Sequence, residues 1–381
     1  MEFGWTESER AYRAALRDFI DHEVPGWRDT PVHRRVVTAE DKDRVKDFTA
    51  KLAARGWLTP SWPPEYGGEG QSAWQSVILS EEMWSVGEPR GSQYMNVNWI
   101  GPAIMMAGTE EQRQRFLPPI SRGEVFWCQG FSEPEAGSDL ASLRTRAVRD
   151  GDQYVVNGQK IWTSHTPSAE WIFLLTRTDP DAPKNHGITI LLIPLDTPGI
   201  EIRRIPDIVG EGAFAEVFLT DVRVPAANRL GEENRGWSVV RQALQYERVG
   251  AARWERASLV LDQLADRARA CGLLSDPDVA RRLGEARAVV EAARWMAYSV
   301  VDERAKQISG TATAYPARVA MVRAERLVAD LALDVFGAEA LIGESFLDDI
   351  YRSSLTAGVA GGTYEIQLNL IAGQVLGLPR S

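Results

Sequence analysis

The chain changes its hydrophobic periodicity twice along its length. In the first part, apolar residues recur at helical spacing over 12–20. The segment Thr6-x-x-Glu9, just before them, matches a capping box and predicts where this helix begins. A further helix is predicted near 39–55. A second capping box, Thr109-x-x-Gln112, predicts another helix near 110–117. The N-terminal third is therefore predicted to be helical.

Between about 124 and 230 the period shortens to two, which is typical of β-strands. Residues 215–219 alternate apolar with polar side chains. Asn157-Gly158 lies between two strand-like runs and is a favoured pair for a tight turn, so we expect a β-hairpin there. The middle third is predicted to be a β domain.

After Gly236 the helical period returns, with glycines between the helical stretches. The expected helices cover about 237–269, 278–308, 312–336 and 364–376. The order of helices, strands and helices predicts an α+β protein of three domains. We place the boundaries of the domains at 1–122, 123–232 and 233–381.

The composition is that of a globular protein of 381 residues, with 44% hydrophobic and 25% charged residues. Only two cysteines are present, which excludes a disulfide scaffold. A net charge of −10 disfavours a nucleic-acid-binding protein. The N-terminus lacks a signal-peptide pattern, and the longest apolar runs are far shorter than the ~20 residues that a membrane helix needs. We therefore expect a cytoplasmic protein without membrane or nucleic-acid partners.

Metal and nucleotide motifs are weak. The four histidines are scattered without ligand spacing, so no metal site is expected. Gly210-Glu-Gly-Ala-Phe-Ala215 matches a dinucleotide fingerprint, but it continues into a predicted strand where the fingerprint requires a helix. We interpret this match as chance.

Two polar motifs about twenty residues apart carry the candidate chemistry. The first, FSEPEAGSDL over 131–140, is a small-residue turn that exposes backbone N–H groups and Ser138. Such a turn suits a phosphate or a polar planar ligand, although a solvated β-turn explains it equally well. The second, NGQKIWTS over 157–164, places Trp162 beside two hydroxyls at a strand end. That indole can stack on a flat ring or belong to the core.

Both motifs closely resemble the flavin-binding signature of the acyl-CoA dehydrogenase family, as does GGTYEIQ over 361–367. The similarity extends to WPPEYGG over 62–68 and TEEQ over 109–112. The resemblance implies an N-terminal helical domain, a middle β-barrel and a C-terminal four-helix bundle. It also implies an FAD enzyme that removes the α-proton of an acyl-CoA thioester and passes the β-hydrogen as hydride to flavin N5.

The resemblance also implies which residues bind the cofactor and the substrate. In the family, the first motif lines the flavin ring, the second flanks it, and the C-terminal motif holds the cofactor. The implied cofactor-binding residues are Gln129, Phe131, Ser132, Gly137, Ser138, Trp162, Thr163, Ser164, Thr363 and Glu365. The implied substrate-binding residues are Ser138, Leu244, Arg248 and Gly361.

The catalytic base departs from the commoner family pattern. Many members have a glutamate immediately before the Gly-Thr of the C-terminal motif, where this chain has Gly361. Others, similar to isovaleryl- and long-chain acyl-CoA dehydrogenases, place the base one residue before an arginine, early in the C-terminal domain. Here Glu247 precedes Arg248, so the resemblance implies Glu247 as the base, although alone it would fit a solvated helix position. The missing side chain at Gly361 favours a bulky or branched acyl group, such as a sterol side chain.

A second departure concerns the subunit interface. Homotetramers of the family bind the adenine half of FAD with Arg-x-Gln-Phe-Gly and Gln-x-x-Gly-Gly segments of a neighbouring chain. Here 268–272 is ARACG and 334–338 is DVFGA, so Asp334 would repel a pyrophosphate. The chain thus resembles the base-bearing subunit of actinobacterial heterotetrameric dehydrogenases, which implies a second dehydrogenase-like chain as partner. A homotetramer with divergent contacts is the alternative.

Three functions remain open on the sequence. The first is acyl-CoA dehydrogenation with trans-2-enoyl-CoA as product and an electron-transferring flavoprotein as electron acceptor. The second is a flavin-dependent oxidase or monooxygenase of the same fold, and the third a non-catalytic subunit that completes a partner's flavin site. The presence of both Glu247 and the flavin motifs favours the first. The acyl chain, and the choice between CoA and carrier-protein thioesters, stay open.

Overall fold

The computed structural model describes residues 4–25, 39–208, 210–250, 252–308, 312–342 and 345–379. Within these ranges, it describes all side chains except those of 39–41, 210–213, 245–250, 346 and 349. The elements follow the order that the sequence predicted, with helices first, then strands, then helices.

Helices make up the two ends of the chain. Those before the strands are α1 (Glu7–Glu23), α2 (Ala39–Ala53), α3 (Ala73–Trp84), α4 (Gln93–Met95), α5 (Gly101–Ala107) and α6 (Glu110–Ser121), with a π-helical turn at Asn96–Ile100. Those after the strands are α7 (Gly236–Gly250), α8 (Arg253–Ala270), α9 (Pro277–Ala305), α10 (Ala314–Phe336), α11 (Phe346–Ser354) and α12 (Tyr364–Leu370), the last extended by a π-helical turn at Ile371–Val375.

Both predicted capping boxes are present. The hydroxyls of Thr6 and Thr109 accept hydrogen bonds from the third residue of their helices, and the side chains of Glu9 and Gln112 accept from the two capping N–H groups. The predicted helix over 237–269 is instead two helices, because Ala252 has a non-helical ψ of 59°. The N-terminal third was predicted to be helical without separate bounds for α3, α4 and α5, and α11 was not predicted.

The middle of the chain forms one eight-stranded sheet. Its strands are β1 (Trp127–Gly130), β2 (Arg146–Asp150), β3 (Gln153–Ser164), β4 (Trp171–Arg177), β5 (Ile188–Pro194), β6 (Ile200–Asp207), β7 (Gly210–Pro225) and β8 (Arg229–Leu230). The hydrogen-bonded order is β6-β7-β3-β2-β4-β5-β8, and β1 pairs in parallel with β4. The order of N-terminal helices, middle sheet and C-terminal helices is the one that the resemblance implied.

The expected hairpin at Asn157-Gly158 is wrong, because β3 continues through both residues. Gly158 has a φ of 154°, and the register against β7 shifts between Val156 and Gly158. A Cβ on Gly158 would lie 2.6 Å from the Thr145 hydroxyl. The glycine therefore serves a β-bulge and a close strand contact, two uses that carry the same sequence signal as a turn.

The chain divides into two compact units that do not follow its order. The first unit contains 1–35, 72–89 and 248–381, so α1 and α3 belong with the C-terminal helices. The second contains 36–71 and 90–247, including the sheet. We call the first the helical unit and the second the sheet unit. The predicted three-domain boundaries remain a prediction. None of the described helices combines the length and the apolar content that crossing a membrane requires.

The helical unit contains a buried ionic cluster. Arg13 donates to the carboxylates of Glu81 and Glu82 at 2.6 and 2.7 Å. Glu81 also accepts from Tyr298 and from the indole N–H of Trp254. Glu255, which follows Trp254 in the chain, pairs with Arg294 at 3.1 Å. Burial, reinforced by the charge of Glu81, raises the pKa of Glu255 to about 7.

Candidate functional site

The two polar motifs meet where β1 and β3 end. The backbone N–H of Ile161 donates to the carbonyl of Ser132 at 2.9 Å. The ammonium of Lys160 donates to the carbonyl of Phe131 at 3.1 Å. Residues that lie about thirty positions apart in the sequence are thereby fixed side by side.

A buried carboxylate holds this junction together. Glu133 accepts from Lys160 at 2.8 Å and from the backbone N–H groups of Arg144 and Thr145 at 2.6 and 2.8 Å. Burial alone would raise the pKa of Glu133, but the charge of Lys160 and these hydrogen bonds lower it. Burial lowers the pKa of Lys160, against the opposing effect of Glu133. The carboxylate form of Glu133 is thus stabilised by a cation and two backbone dipoles.

The turn after Glu133 faces solvent. Glu133 and Ala136 exchange backbone hydrogen bonds of 3.0 Å, which closes the turn. Gly137 and Ser138 are exposed, and a Cβ on Gly137 would have no neighbour within 4 Å. The turn therefore leaves open space and a hydroxyl where the sequence predicted a phosphate or CoA contact.

A β-bulge turns Trp162 out of the sheet. Lys160 pairs with Val217 and Thr163 with Ala215, so β3 has one more residue than β7 between these pairs. Trp162 has a φ of 59°, a conformation that non-glycine residues rarely adopt. Its indole is 56% exposed and meets Phe214 edge to face, with 6.0 Å between ring centroids. An exposed indole held by a strained backbone is a typical feature of a ligand site.

Two buried hydroxyls beside Trp162 offer a fit to a flat polar ligand. Those of Thr163 and Thr166 are buried and have no hydrogen-bond partner among the described residues. Ser164 is half-buried next to them, as is Gln129 on β1. A buried hydroxyl without a partner is costly, and an incoming acceptor would relieve that cost. These donors and the indole fit the edge and the face of a flavin ring.

Three of these residues were missed by sequence reasoning, namely Lys160, Glu133 and Thr166. Lys160 lies on the inner face of β3 with Tyr154 and Val156. A lysine on the buried face of a strand was a signal that could have identified it, since such a charge needs a buried partner. Thr166 lies just beyond the predicted motif and gave no comparable signal.

The C-terminal motif lies in the helical unit. Gly361 and Gly362 both have positive φ values, 69° and 87°. The buried side-chain amide of Gln367 donates to the carbonyls of both glycines at 3.2 and 3.4 Å. Thr363 accepts from the N–H of Ile366 and so begins α12. The exposed Glu365 follows in the first turn.

The predicted base and its predicted neighbours belong to α7. Leu244 is half-buried there. The range of α7 includes Glu247 and Arg248, whose side chains lie outside the described residues. Their predicted roles therefore stay predictions.

The two divergent interface segments carry ion pairs within the chain. The carboxylate of Asp334 accepts from Arg282, and that of Glu339 accepts from Arg267. Arg269 pairs with Asp266. The acid that the sequence analysis expected to repel a pyrophosphate is thus neutralised by its own chain.

Comparisons with known proteins agree along the whole chain. Models of the acyl-CoA dehydrogenase N-terminal, middle and C-terminal domains match residues 6–124, 128–222 and 234–376. Acyl-CoA dehydrogenase IpdE1 of Mycobacterium tuberculosis is 36% identical, over 87% of this chain and 88% of its own length. Acyl-CoA dehydrogenase FadE26 of the same organism is 31% identical over the full length of both chains.

Two similar solved structures are each named by two components. The Tcur3481-Tcur3483 steroid ACAD matches with a TM-score of 0.90 and 32% identity over all of both chains. The ChsE4-ChsE5 complex from Mycobacterium tuberculosis matches with a TM-score of 0.87 and 32% identity, also over all of both chains. By sequence and by fold, this chain belongs to the acyl-CoA dehydrogenase family.

Proposed function

We propose that the chain is the base-bearing subunit of an FAD-dependent acyl-CoA dehydrogenase that forms a trans-2-enoyl-CoA, with Glu247 as the base. The observation that carries the proposal is the exposed indole of Trp162 beside the unpartnered buried hydroxyls of Thr163 and Thr166. When bound, FAD would supply the acceptor for the β-hydrogen, which leaves the substrate as hydride. The family membership supports both the cofactor and the reaction class.

The flavin site is proposed to use both motifs of the sheet unit. The main chain from Gln129 to Ser132 lines the ring, and Trp162 flanks it. The hydroxyls of Thr163 and Ser164 donate to the ring edge, since the Thr163 hydroxyl has no partner among the described residues. The exposed Gly137 and Ser138 take the phosphate or the CoA arm. From the family resemblance alone, Thr363 and Glu365 are also proposed to bind the cofactor.

Proton removal is assigned to Glu247 because Gly361 offers no carboxylate. The φ of 69° at Gly361 also disfavours any side chain there, so the local backbone is built for glycine. A thioester α-proton is weakly acidic, and its removal needs hydrogen bonds to the developing enolate oxygen. The N–H of Gly361 is the chain's own candidate donor. Leu244 and Arg248, on the same helix as Glu247, are proposed to contact the substrate.

A bulky or branched acyl group, such as a sterol side chain, is the proposed substrate. The absent side chain at Gly361 leaves space beside the reacting carbons. One similar structure is described as a steroid ACAD, which supports the same substrate class.

A second dehydrogenase-like chain is the proposed partner. Arg269, the one arginine in the divergent segments, pairs with Asp266, and two arginines outside them pair with acids of this chain, as Arg282–Asp334 and Arg267–Glu339. They are therefore poorly placed to hold the pyrophosphate of a neighbour's cofactor. The ChsE4-ChsE5 complex, which contains a chain similar to this one, supports such a partner. An electron-transferring flavoprotein is the proposed electron acceptor.

Purification of the chain alone, with flavin absorbance per chain and acyl-CoA-dependent dye reduction, tests this assignment. We expect little flavin on the isolated chain and full flavin with turnover after co-expression with the partner. A yellow, active isolated chain would support a homotetramer instead. Peroxide formation under air, without dye reduction, would support an oxidase. Flavin binding without turnover of any thioester would contradict the dehydrogenase.

A further inference from the structure

We propose that Lys160 and Glu133 are positioning residues for the flavin site. Their buried ion pair fixes the carbonyl of Phe131, and with it the arrangement of the two strand ends that receive the ring. The proposal rests on the proposed function, because it concerns how that site keeps its shape.

The Lys160–Glu133 ion pair is buried, unlike a surface salt bridge. The side chain of Lys160 has no exposed surface, and that of Glu133 is 8% exposed. Burying two charges is expensive, and apolar side chains of similar volume often stabilise a fold at least as well. Stability alone therefore does not explain why this position carries an ion pair. The directionality of hydrogen bonds explains it, because an ammonium group donates hydrogen bonds and an apolar side chain does not.

The hydrogen bonds of the pair connect four segments of the chain. Lys160 lies on β3 and donates to Phe131, just past the end of β1, and to Glu133 in the turn. Glu133 accepts from the N–H groups of Arg144 and Thr145, just before β2. A change at either charge therefore reaches the end of β1, the turn and the start of β2 together.

The residues next to Lys160 are those that the flavin would meet. Ile161 donates its N–H to Ser132, and Trp162 is turned outward by the bulge that follows Lys160. Lys160 is thus the last inward-facing residue before the strained position. Without its ammonium, the carbonyl of Phe131 would lose this donor, and Ile161–Ser132 would be the remaining hydrogen bond between the motifs among the described residues.

A second Lys–Glu pair in the same unit provides a matched control. Lys46 donates to Glu170 at 2.8 Å, and Glu170 accepts from the N–H of Phe126 at 2.7 Å. This pair is partly exposed, at 33% and 34%, and Phe126 precedes β1, at the end of the strand away from the motif. Lys46→Met should therefore remove one of the two lysines that pair with Glu170, the other being Lys42 at 3.2 Å, without disturbing the strand ends.

The test compares Lys160→Met, the double variant Glu133→Gln/Lys160→Met, and Lys46→Met, each prepared with whatever partner chain the wild type requires. The single variant leaves Glu133 charged, buried and short of its cation, so it should unfold at lower urea concentration. The double variant removes both charges, so its urea-unfolding midpoint should return most of the way to that of the wild type. Amide hydrogen exchange over 129–136 and 159–165, and FAD affinity by titration, report the geometry.

We expect the double variant to exchange the Ile161 amide at least about tenfold faster than the wild type, while its unfolding midpoint stays close to that of the wild type. Its FAD affinity should fall by at least about tenfold. Lys46→Met should change neither quantity. This pattern separates positioning from stability, because the double variant would be as stable as the wild type while the ends of β1 and β3 are no longer held in place.

Wild-type exchange and wild-type FAD affinity in the double variant would overturn the proposal. So would equal acceleration of exchange over 159–165 in Lys46→Met. Failure of the wild type to bind FAD, alone and with its partner, would contradict the proposed function instead. The exchange measurement needs no flavin and decides the role of Lys160 in either case.

Discussion

The N–H of Ile161 donates to the carbonyl of Ser132 at 2.9 Å, and this bond joins the two sequence motifs into one surface. On one side of it, Lys160 is buried with Glu133. On the other side, Trp162 is exposed on a strained backbone. The site thus has a buried, charged interior and an exposed aromatic side chain.

Trp162→Ala should weaken flavin binding much more than it weakens the fold. The indole is 56% exposed, so its removal costs little buried area. Loss of aromatic stacking should reduce FAD affinity by about tenfold. Titration with FAD and a thermal melt measure the two effects. Trp295→Ala is the control, since that indole is also exposed, at 42%, but belongs to the helical unit. Equal flavin loss in both variants would contradict the role of Trp162.

Gly361→Ala should destabilise the chain by about 1 kcal/mol, because a φ of 69° disfavours a side chain. Urea unfolding measures the change. Gly137→Ala is the matched control, since a Cβ there meets nothing within 4 Å and its backbone is not in the left-handed region. A neutral Gly361→Ala would show that this loop tolerates a side chain.

Gly361→Glu should fail to restore turnover to Glu247→Gln. A glutamate at this position has to be carried by a left-handed residue, in a loop whose carbonyls are held by Gln367. Dye-linked turnover of the double variant measures this. Recovery of activity would show that the commoner base position remains usable here.

Glu255→Gln should change how stability depends on pH. The folded-state pKa of Glu255 is raised to about 7, above its ordinary value of 4.5. Between these values, the folded state binds more protons than the unfolded state, so this contribution to stability is complete below about pH 4.5 and is lost as the pH rises to about 7. The neutral amide removes that loss, which corresponds to about 3 kcal/mol at pH 8.

Urea unfolding at pH 5 and pH 8 checks this prediction. Glu255→Gln should be more stable than the wild type at pH 8 and similar to it at pH 5. Glu285→Gln, at an exposed position of α9, is the control variant. An unchanged pH dependence in Glu255→Gln would contradict the prediction.

Local sequence signals predicted the parts of the fold that depend on neighbouring residues. The capping boxes at Thr6 and Thr109 involve contacts within one helical turn, and both are present. The hairpin at Asn157-Gly158 was wrong because a positive-φ glycine serves a turn and a bulge equally well, and only the strand pairing decides between them. The break at Ala252 follows Gly250, the last residue of α7, but the prediction of one helix over 237–269 did not interpret this glycine as a helix end.

Only the site residues that belong to recognisable sequence motifs could be predicted. The resemblance named Ser132, Trp162 and Thr163, which the fold brings together at the ends of β1 and β3. It did not identify the partnership of Lys160 and Glu133, because that pairing depends on which strand face is buried. The side chain of Glu247 is outside the described residues, so its role depends on sequence alone.

The most direct test of the dehydrogenase assignment is turnover of acyl-CoA thioesters by the flavin-loaded wild type and its Glu247→Gln variant, with Glu365→Gln as a second carboxylate variant. Dye reduction and the appearance of the enoyl-CoA are followed together, and flavin content is measured for each preparation. We predict turnover by the wild type and its loss, by about 10³-fold or more, in Glu247→Gln with flavin content unchanged. An active, flavin-loaded Glu247→Gln variant would contradict the assignment of the base.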